Sequence, residues 1–309
     1  LKSGNKLVAY LKLIAVVIIW GGNYHAAKYL VKDTDIYTVS FLRFALAALV
    51  LLFIQHNKHG AMGYKKSPLQ WWMLIAIGFV GIFIYNMFFF GAESLIPANN
   101  VAILYAFTPC ITVVFSSIFL KQKISCLGYV GVIIALVGTI GVINTSDTNC
   151  GKFFCGELFK HLSLGELLAI LATVSMSCYN ILNRKAALMN LDPLHITTFG
   201  AVFGAIFLFI TFLLFGGKVI LLWHKPWSFW LAMFYTAILA TVIGYKWYSE
   251  AIREIGVGPT AVFQNGVPFS AILIGLILVG HGVSWEELVS GVVIVAGVLI
   301  TNLAISRKA

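Results

Sequence analysis

Several hydrogen-bonding side chains lie inside long apolar runs, where an unpaired polar group is costly and so marks a candidate site. Trp20, Asn23 and Tyr24 share the stretch Trp20-Gly21-Gly22-Asn23-Tyr24, and Tyr85-Asn86, Tyr105 with Thr108, Ser177 with Asn180, and Gln264-Asn265 punctuate later runs. Amides and hydroxyls can hydrogen-bond a zwitterion, and aromatic rings offer apolar contact and a face for cations. Asn23 and Asn180 read as partners that either receive a substrate together or bond each other. Lys246 lies in its run seven residues before Arg253, roughly 10 Å inside the boundary at 1.5 Å per residue. It either anchors an anionic group or pairs with Glu250 one turn on. Arg43 reads first as structural, capping carbonyls or fixing the short spans, and Glu93 as interfacial rather than a proton carrier. Pro109 and Pro268 free the carbonyls of Tyr105 and Gln264 and suit hinges. Phosphate-loop, dinucleotide, zinc-ligand and catalytic-triad patterns are missing from the sequence. The expected chemistry is recognition, with no catalytic residue, metal or cofactor and no nucleic-acid partner.

The elements that position these groups are membrane spans. Of the 309 residues 60% are apolar and 10% charged, against roughly a quarter charged in a soluble domain. Mean hydropathy is +0.94. Runs of ~20 apolar residues match a ~30 Å hydrocarbon layer. The sequence predicts an all-α membrane protein with spans at about 8–31, 36–55, 70–91, 98–120, 126–144, 164–187, 193–216, 228–251, 257–279 and 286–305. Leu7–Leu30 reads as a retained span rather than a signal peptide. Ser67-Pro68, Asp192-Pro193 and Lys225-Pro226 each suit a helix start. The net charge of +10 comes from short basic clusters between the runs. With the N-terminus inside, thirteen of the 21 basic residues face the cytoplasm and six face out, while Arg43 and Lys246 lie within spans. That bias places both termini in the cytoplasm.

The chain also repeats itself. Shifted by 159 residues, Trp71 meets Trp230, Ala92 meets Ala251 and Ala102 meets Ala261. Pro109 then meets Pro268, Ser125 meets Ser284 and Gly138 meets Gly297. An odd number of spans per half gives equivalent spans opposite directions. Residues 1–150 and 151–309 are thus expected to form an inverted-topology repeat, with substrate held near the midplane between them.

Order and spacing of these features resemble the drug/metabolite transporter superfamily, specifically its EamA-type members. Further matching features are Trp20-Gly21-Gly22-Asn23, Arg43, the run Trp247–Ala251, the run Gly256–Thr260, and Lys121-Gln122-Lys123 before a glycine-bearing span. The acidic residue often found in the turns after the fourth and ninth spans is replaced by Lys121-Gln122-Lys123 and Gly280-His281-Gly282. The resemblance implies a transporter without ATPase modules, with a cavity lined by spans one, three, four, six, eight and nine and buttressed by five and ten.

The sequence therefore predicts a secondary transporter in a bacterial-type inner membrane, moving a small polar metabolite, an amino acid or amine, by alternating access. Its partners would be that substrate, lipids and a coupling proton or counter-substrate, with a monomer favoured. Exchange of a phosphorylated or nucleotide-like anion stays open, and a membrane-embedded enzyme or receptor is the third reading. Cys150 and Cys155 flank a short outer-loop turn and are expected to form a disulfide.

Overall fold

The computed structural model describes residues 3–32, 34–60, 66–96, 101, 104–105, 107–121, 125–146, 163–216, 222, 224–279 and 285–306. Cys150 and Cys155, with their expected bridge, lie outside the described residues. In chain order the helices are α1 (Ser3–Lys32), α2 (Ile36–His59), α3 (Pro68–Leu95), α4 (Thr108–Phe119) and α5 (Cys126–Ser146). They continue as α6 (Leu164–Leu188), α7 (Pro193–Phe215), α8 (Trp227–Ile255), α9 (Val257–Val279) and α10 (Trp285–Ser306). Seven are long and apolar enough to cross a membrane, and Thr108–Phe119, Cys126–Gly138 and Val289–Thr301 are shorter apolar stretches. Apolar side chains face outward, among them Phe53, Trp72 and Leu213, as an all-helical bundle in hydrocarbon requires.

Local chemistry sets the helix ends. Ser67 Oγ accepts the Gln70 N–H and Gln70 Oε1 accepts the Ser67 N–H, a reciprocal cap with Pro68 in the first turn. Ser163 and Glu166 repeat the arrangement at α6. Asp35 caps α2 through Thr38, and Asp192 caps α7 through Leu194. α8 ends at Gly256, whose φ of 93° turns the chain directly into α9, a backbone state that favours glycine. α3 and α8 outrun their expected spans, 70–91 and 228–251, mainly by a further turn at their C-terminal ends. The expected fourth span, 98–120, is interrupted by a turn at Phe107 before α4 begins.

Three irregularities shape the interior. α3 widens into a π-helix at Ile77–Ile84, and α8 does so at Tyr235–Ile243. The two segments end at residues 159 apart. α9 tightens to a 3₁₀ turn at Phe263–Asn265. The packing repeats in the same register. α1 packs on α8 and α9 as α6 packs on α3 and α4, while α2 meets α7 and α5 meets α10. At the last pair a Cβ on Gly138 would lie 2.8 Å from Ile294 N and Ser290 O. A Cβ on Gly297 would press on Ala135 N and Gly131 O. Gly138 and Gly297, Ala135 and Ile294, and Gly131 and Ser290 are each 159 residues apart, so the contact is reciprocal. Lipid is as apolar as leucine, so helices here gain by close approach rather than by burial, and side chains at these glycines would force the backbones apart.

Candidate functional site

Arg43 is the centre of the site. It sits in α2 only 2% exposed, with its Nε donating to Thr241 Oγ1 at 2.9 Å and Nη1 to Asn86 Oδ1 at 3.5 Å. Both acceptors depend on the π-helical segments. Thr241 Oγ1 donates back to Thr236 O, five residues earlier, at 2.8 Å, a reach that the wider π turn provides. Asn86 follows the α3 segment, and its Nδ2 donates to Ile82 O at 2.6 Å, which leaves its Oδ1 for the guanidinium. The guanidinium carbon lies 5.2 Å from the Phe44 ring centroid and 5.9 Å from that of Phe90, within cation–π range. Among the described residues the ion pairs involve other cations. Arg43 therefore has only neutral partners among the described residues.

Beside it a cavity is walled by Trp20, Asn23 and Tyr24 of α1, Arg43 of α2, Tyr85 and Phe89 of α3, Tyr105, Met176 of α6, Tyr245 of α8 and Val267 of α9. Trp20 Nε1 donates to Ala240 O at 2.9 Å, inside the π segment of α8. Its ring packs on Tyr245 and Tyr248 at centroid distances of 5.7 and 5.1 Å. Tyr24 meets Phe89 edge-on at 5.5 Å, and Tyr85 lies 6.0 Å from Tyr105. Asn23 is 7% exposed and its Oδ1 has no partner among the described residues. The free space is about 20 Å³, room for one water molecule. In this conformation the cavity is too small to hold a metabolite.

The interrupted helices meet next to the cavity. Thr108 Oγ1 donates to Tyr105 O at 2.6 Å, so the carbonyl freed by Pro109 is taken up locally. α6 serves the neighbouring carbonyls: Thr173 Oγ1 donates to Leu104 O at 3.1 Å and Ser177 Oγ to Thr108 O at 3.2 Å. In α9 the Gly266 N–H turns back to Gln264 O ahead of Pro268. Gln264 Nε2 donates to the Tyr105 hydroxyl at 3.3 Å across a separation of 159 residues. Two positions 159 residues apart thus touch each other beside the cavity wall.

The structure brings Trp20, Asn23, Tyr24, Tyr85 and Tyr105 to one cavity, with Asn86 behind Arg43 and Gln264 behind Tyr105. Thr108 and Ser177 are buried in the α4–α6 contact. Asn180 does not face Asn23; its Nδ2 donates to Thr112 Oγ1 on α4 at 3.0 Å. Asn265 is fully buried but off the cavity wall. Lys246 is also off the wall. Its Nζ lies 3.6 Å from Glu250 Oε1, and Glu250 Oε2 accepts from Lys12 Nζ at 2.5 Å. Successive helical residues point ~100° apart, so with Tyr245 turned inward its neighbour Lys246 is turned away. Arg43 corrects the reading in the other direction: it donates to side chains at the cavity and adds α2 to the expected wall. Met176, Tyr245, Phe89 and Val267 were not anticipated. For Arg43 the usable signal was a charge inside a span; apolar wall residues carry none. The nearest approach to a metal-ligand set among the described residues is His59, Asp192 and His195, with ligand atoms within 4.8 Å of one another. Asp192 there already caps Leu194 and lies 3.6 Å from Arg253.

The described residues thus form a bundle of long apolar helices, seven of them able to cross a membrane, around a small cavity. The chain belongs to the EamA-like transporter family, which it matches over residues 7–144 and 163–303. It is 30% identical to the uncharacterized transporter YyaM of Bacillus subtilis (strain 168), covering 95% of this chain and 93% of that protein. It is 23% identical to a probable amino-acid metabolite efflux pump of Salmonella typhimurium, over 93% and 92% of the two chains. A probable terminal-alkyne amino-acid exporter of Streptantibioticus cattleyicolor is 20% identical over 94% and 92%. A solved structure superposes with a TM-score of 0.77 at 18% identity, covering 100% of this chain and 99% of the other, which speaks for the fold alone.

Proposed function

We propose that this protein is a secondary transporter of small amino acids, working by alternating access at a cavity between two inverted halves, residues 1–150 and 151–309. The halves are supported by the reciprocal α5–α10 contact, the paired π segments and the Tyr105–Gln264 bond, all in one register of 159 residues. Inversion would supply two nearly equivalent states, one open to each side. Pro109 and Pro268 are then the points where α4 and α9 bend.

The observation that carries the substrate class is Arg43. A buried guanidinium with neutral partners has fork-shaped donors suited to a carboxylate and would repel a simple amine. The aromatic rings and the free Asn23 Oδ1 suit an ammonium group. A phosphorylated metabolite would ask for several basic groups, and the cavity offers one. The names of the Salmonella and Streptantibioticus relatives agree with an amino-acid substrate.

Thermal unfolding of the detergent-purified protein tests this against amino acids, polyamines, nucleosides and phosphorylated metabolites. A ligand at 100 times its Kd stabilises by ~2.7 kcal/mol. Neutral L-amino acids are expected to raise the melting temperature. Stabilisation by polyamines or phosphorylated compounds, with amino acids inert, would overturn the reading.

A further inference from the structure

Glu93 ends the last full turn of α3, where the apolar run gives way. Its side chain is fully buried, and neither carboxyl oxygen has a hydrogen-bond partner among the described residues. The nearest cation among the described residues is exposed Lys28 of α1, whose Nζ donates to the backbone oxygens of Glu93 at 2.5 Å and Ile96 at 3.2 Å. One helical turn inward from these two residues lie Tyr24 and Phe89, which meet edge-on at 5.5 Å and wall the cavity. Lys28 and Glu93 thus form the tier directly over the substrate site.

Among the described residues, the other charged groups at this end of the packed elements are exposed, as Lys32 of α1 is, or engaged elsewhere. Arg43 of α2 holds Thr241 and Asn86. Asp35, just before α2, caps Thr38. Glu166 of α6 accepts from the Ser163 amide at 2.7 Å, while α6 approaches the end of α3 through Gly165 and Leu168. Tyr29, next to Lys28, bonds Ser228 Oγ at 2.7 Å, while Tyr24 on α1 and Tyr85 on α3 lie further inward and face the cavity.

An ionised carboxylate with no partner in an apolar interior costs several kcal/mol, so in the closed conformation Glu93 holds its proton. Its ionised form has one ready partner: the Lys28 ammonium, which already rests on the backbone of the same residue. We infer that Glu93 is the coupling protonation site of the transport cycle. Closed, the tier is neutral acid plus ammonium. Opened to water, the Glu93 O–H bond breaks, the proton passes to solvent and the Lys28 ammonium moves from the two carbonyls to the carboxylate. Closing reverses each step. Because closure and proton uptake are linked at one residue, and closure also shuts the cavity, proton and substrate binding are coupled in both directions. This inference rests on the alternating-access reading above.

Two measurements test it. In liposomes, dicyclohexylcarbodiimide, an apolar reagent for protonated carboxyl groups, is expected to label Glu93 in the wild type, read by peptide mass spectrometry. Labelling should fall as the pH is raised. No labelling of Glu93 at any pH, or labelling indifferent to pH, would overturn the inference whatever the substrate is. In the second arm, liposomes hold a trapped pH-sensitive dye, and a gradient of mixed neutral L-amino acids is imposed. Wild-type protein should move protons. Glu93→Gln should still exchange labelled for unlabelled amino acid but move at most about a tenth of the protons, and Glu93→Asp, which keeps the acid, should recover part of the flux. Proton movement by Glu93→Gln at the wild-type rate, or amino-acid transport by wild type with no proton movement, would contradict it. A wild type that moves no amino acid refutes the substrate reading instead, and the carbodiimide result then decides on Glu93 by itself.

Discussion

Arg43 and Lys246 are two cations placed inside apolar runs, and the protein treats them in opposite ways. Lys246 is a third exposed and joins Lys12 around Glu250, a small network near the end of α8. Arg43 is buried, holds a threonine hydroxyl and an asparagine carbonyl, lies against two phenylalanine rings and walls the cavity. Depth along the helix does not separate them; rotation about the helix axis and the identity of the partners do. A cation beside a carboxylate is structurally satisfied. One held by neutral dipoles still carries an uncompensated charge, which is why Arg43 is proposed to meet the substrate.

The comparison can be broken first at Arg43 itself. Arg43→Gln should abolish amino-acid transport and the whole ligand-induced stabilisation, about 2.7 kcal/mol at 100 times Kd. Arg43→Lys should not restore it, because an ammonium lacks the planar fork. Uptake into proteoliposomes and melting curves read both effects. Next come the prolines flanking the site. Pro109→Ala or Pro268→Ala should slow transport about tenfold while changing ligand affinity less than about twofold, since a continuous helix resists the bend that switching needs. Equal losses of binding and rate would mean that the prolines shape the cavity instead.

Thr241→Val removes the Nε acceptor of Arg43 and leaves a buried charged donor unpaired. A loss of about 1–3 kcal/mol is expected, read as a lower melting temperature that saturating amino acid partly restores. The smallest effect belongs to the rim. Glu250→Gln or Lys246→Met should cost no more than about 1 kcal/mol, as partly exposed ion pairs do, and leave transport within about twofold of wild type. A large transport defect in Lys246→Met with normal melting would reverse the roles of the two cations.

Much of the fold was legible because the apolar runs, the Ser67-Pro68 and Asp192-Pro193 starts and the 159-residue register are written in residue types that act locally. The π segments were not. Ile77–Ile84 and Tyr235–Ile243 are ordinary apolar stretches, and their extra turn width follows from packing against other helices. The site was legible in part. Tyr105 and Asn23 stood out as polar groups in apolar runs, and the cavity gathers both. The partners of Arg43 were not legible because Thr241 is 198 residues away, a contact that no local pattern announces. Asn180 was paired with Asn23 by analogy, yet helix phase turned it to Thr112.

The most direct test compares a neutral L-amino acid with the amine that remains when its carboxyl group is removed, on wild type and on Arg43→Gln, by calorimetric titration of detergent-solubilised protein. The amino acid is expected to bind wild type alone, and the amine to bind either protein at least tenfold more weakly than the amino acid binds wild type. Equal affinity of the wild type for amine and amino acid, or undiminished amino-acid binding by Arg43→Gln, would contradict it.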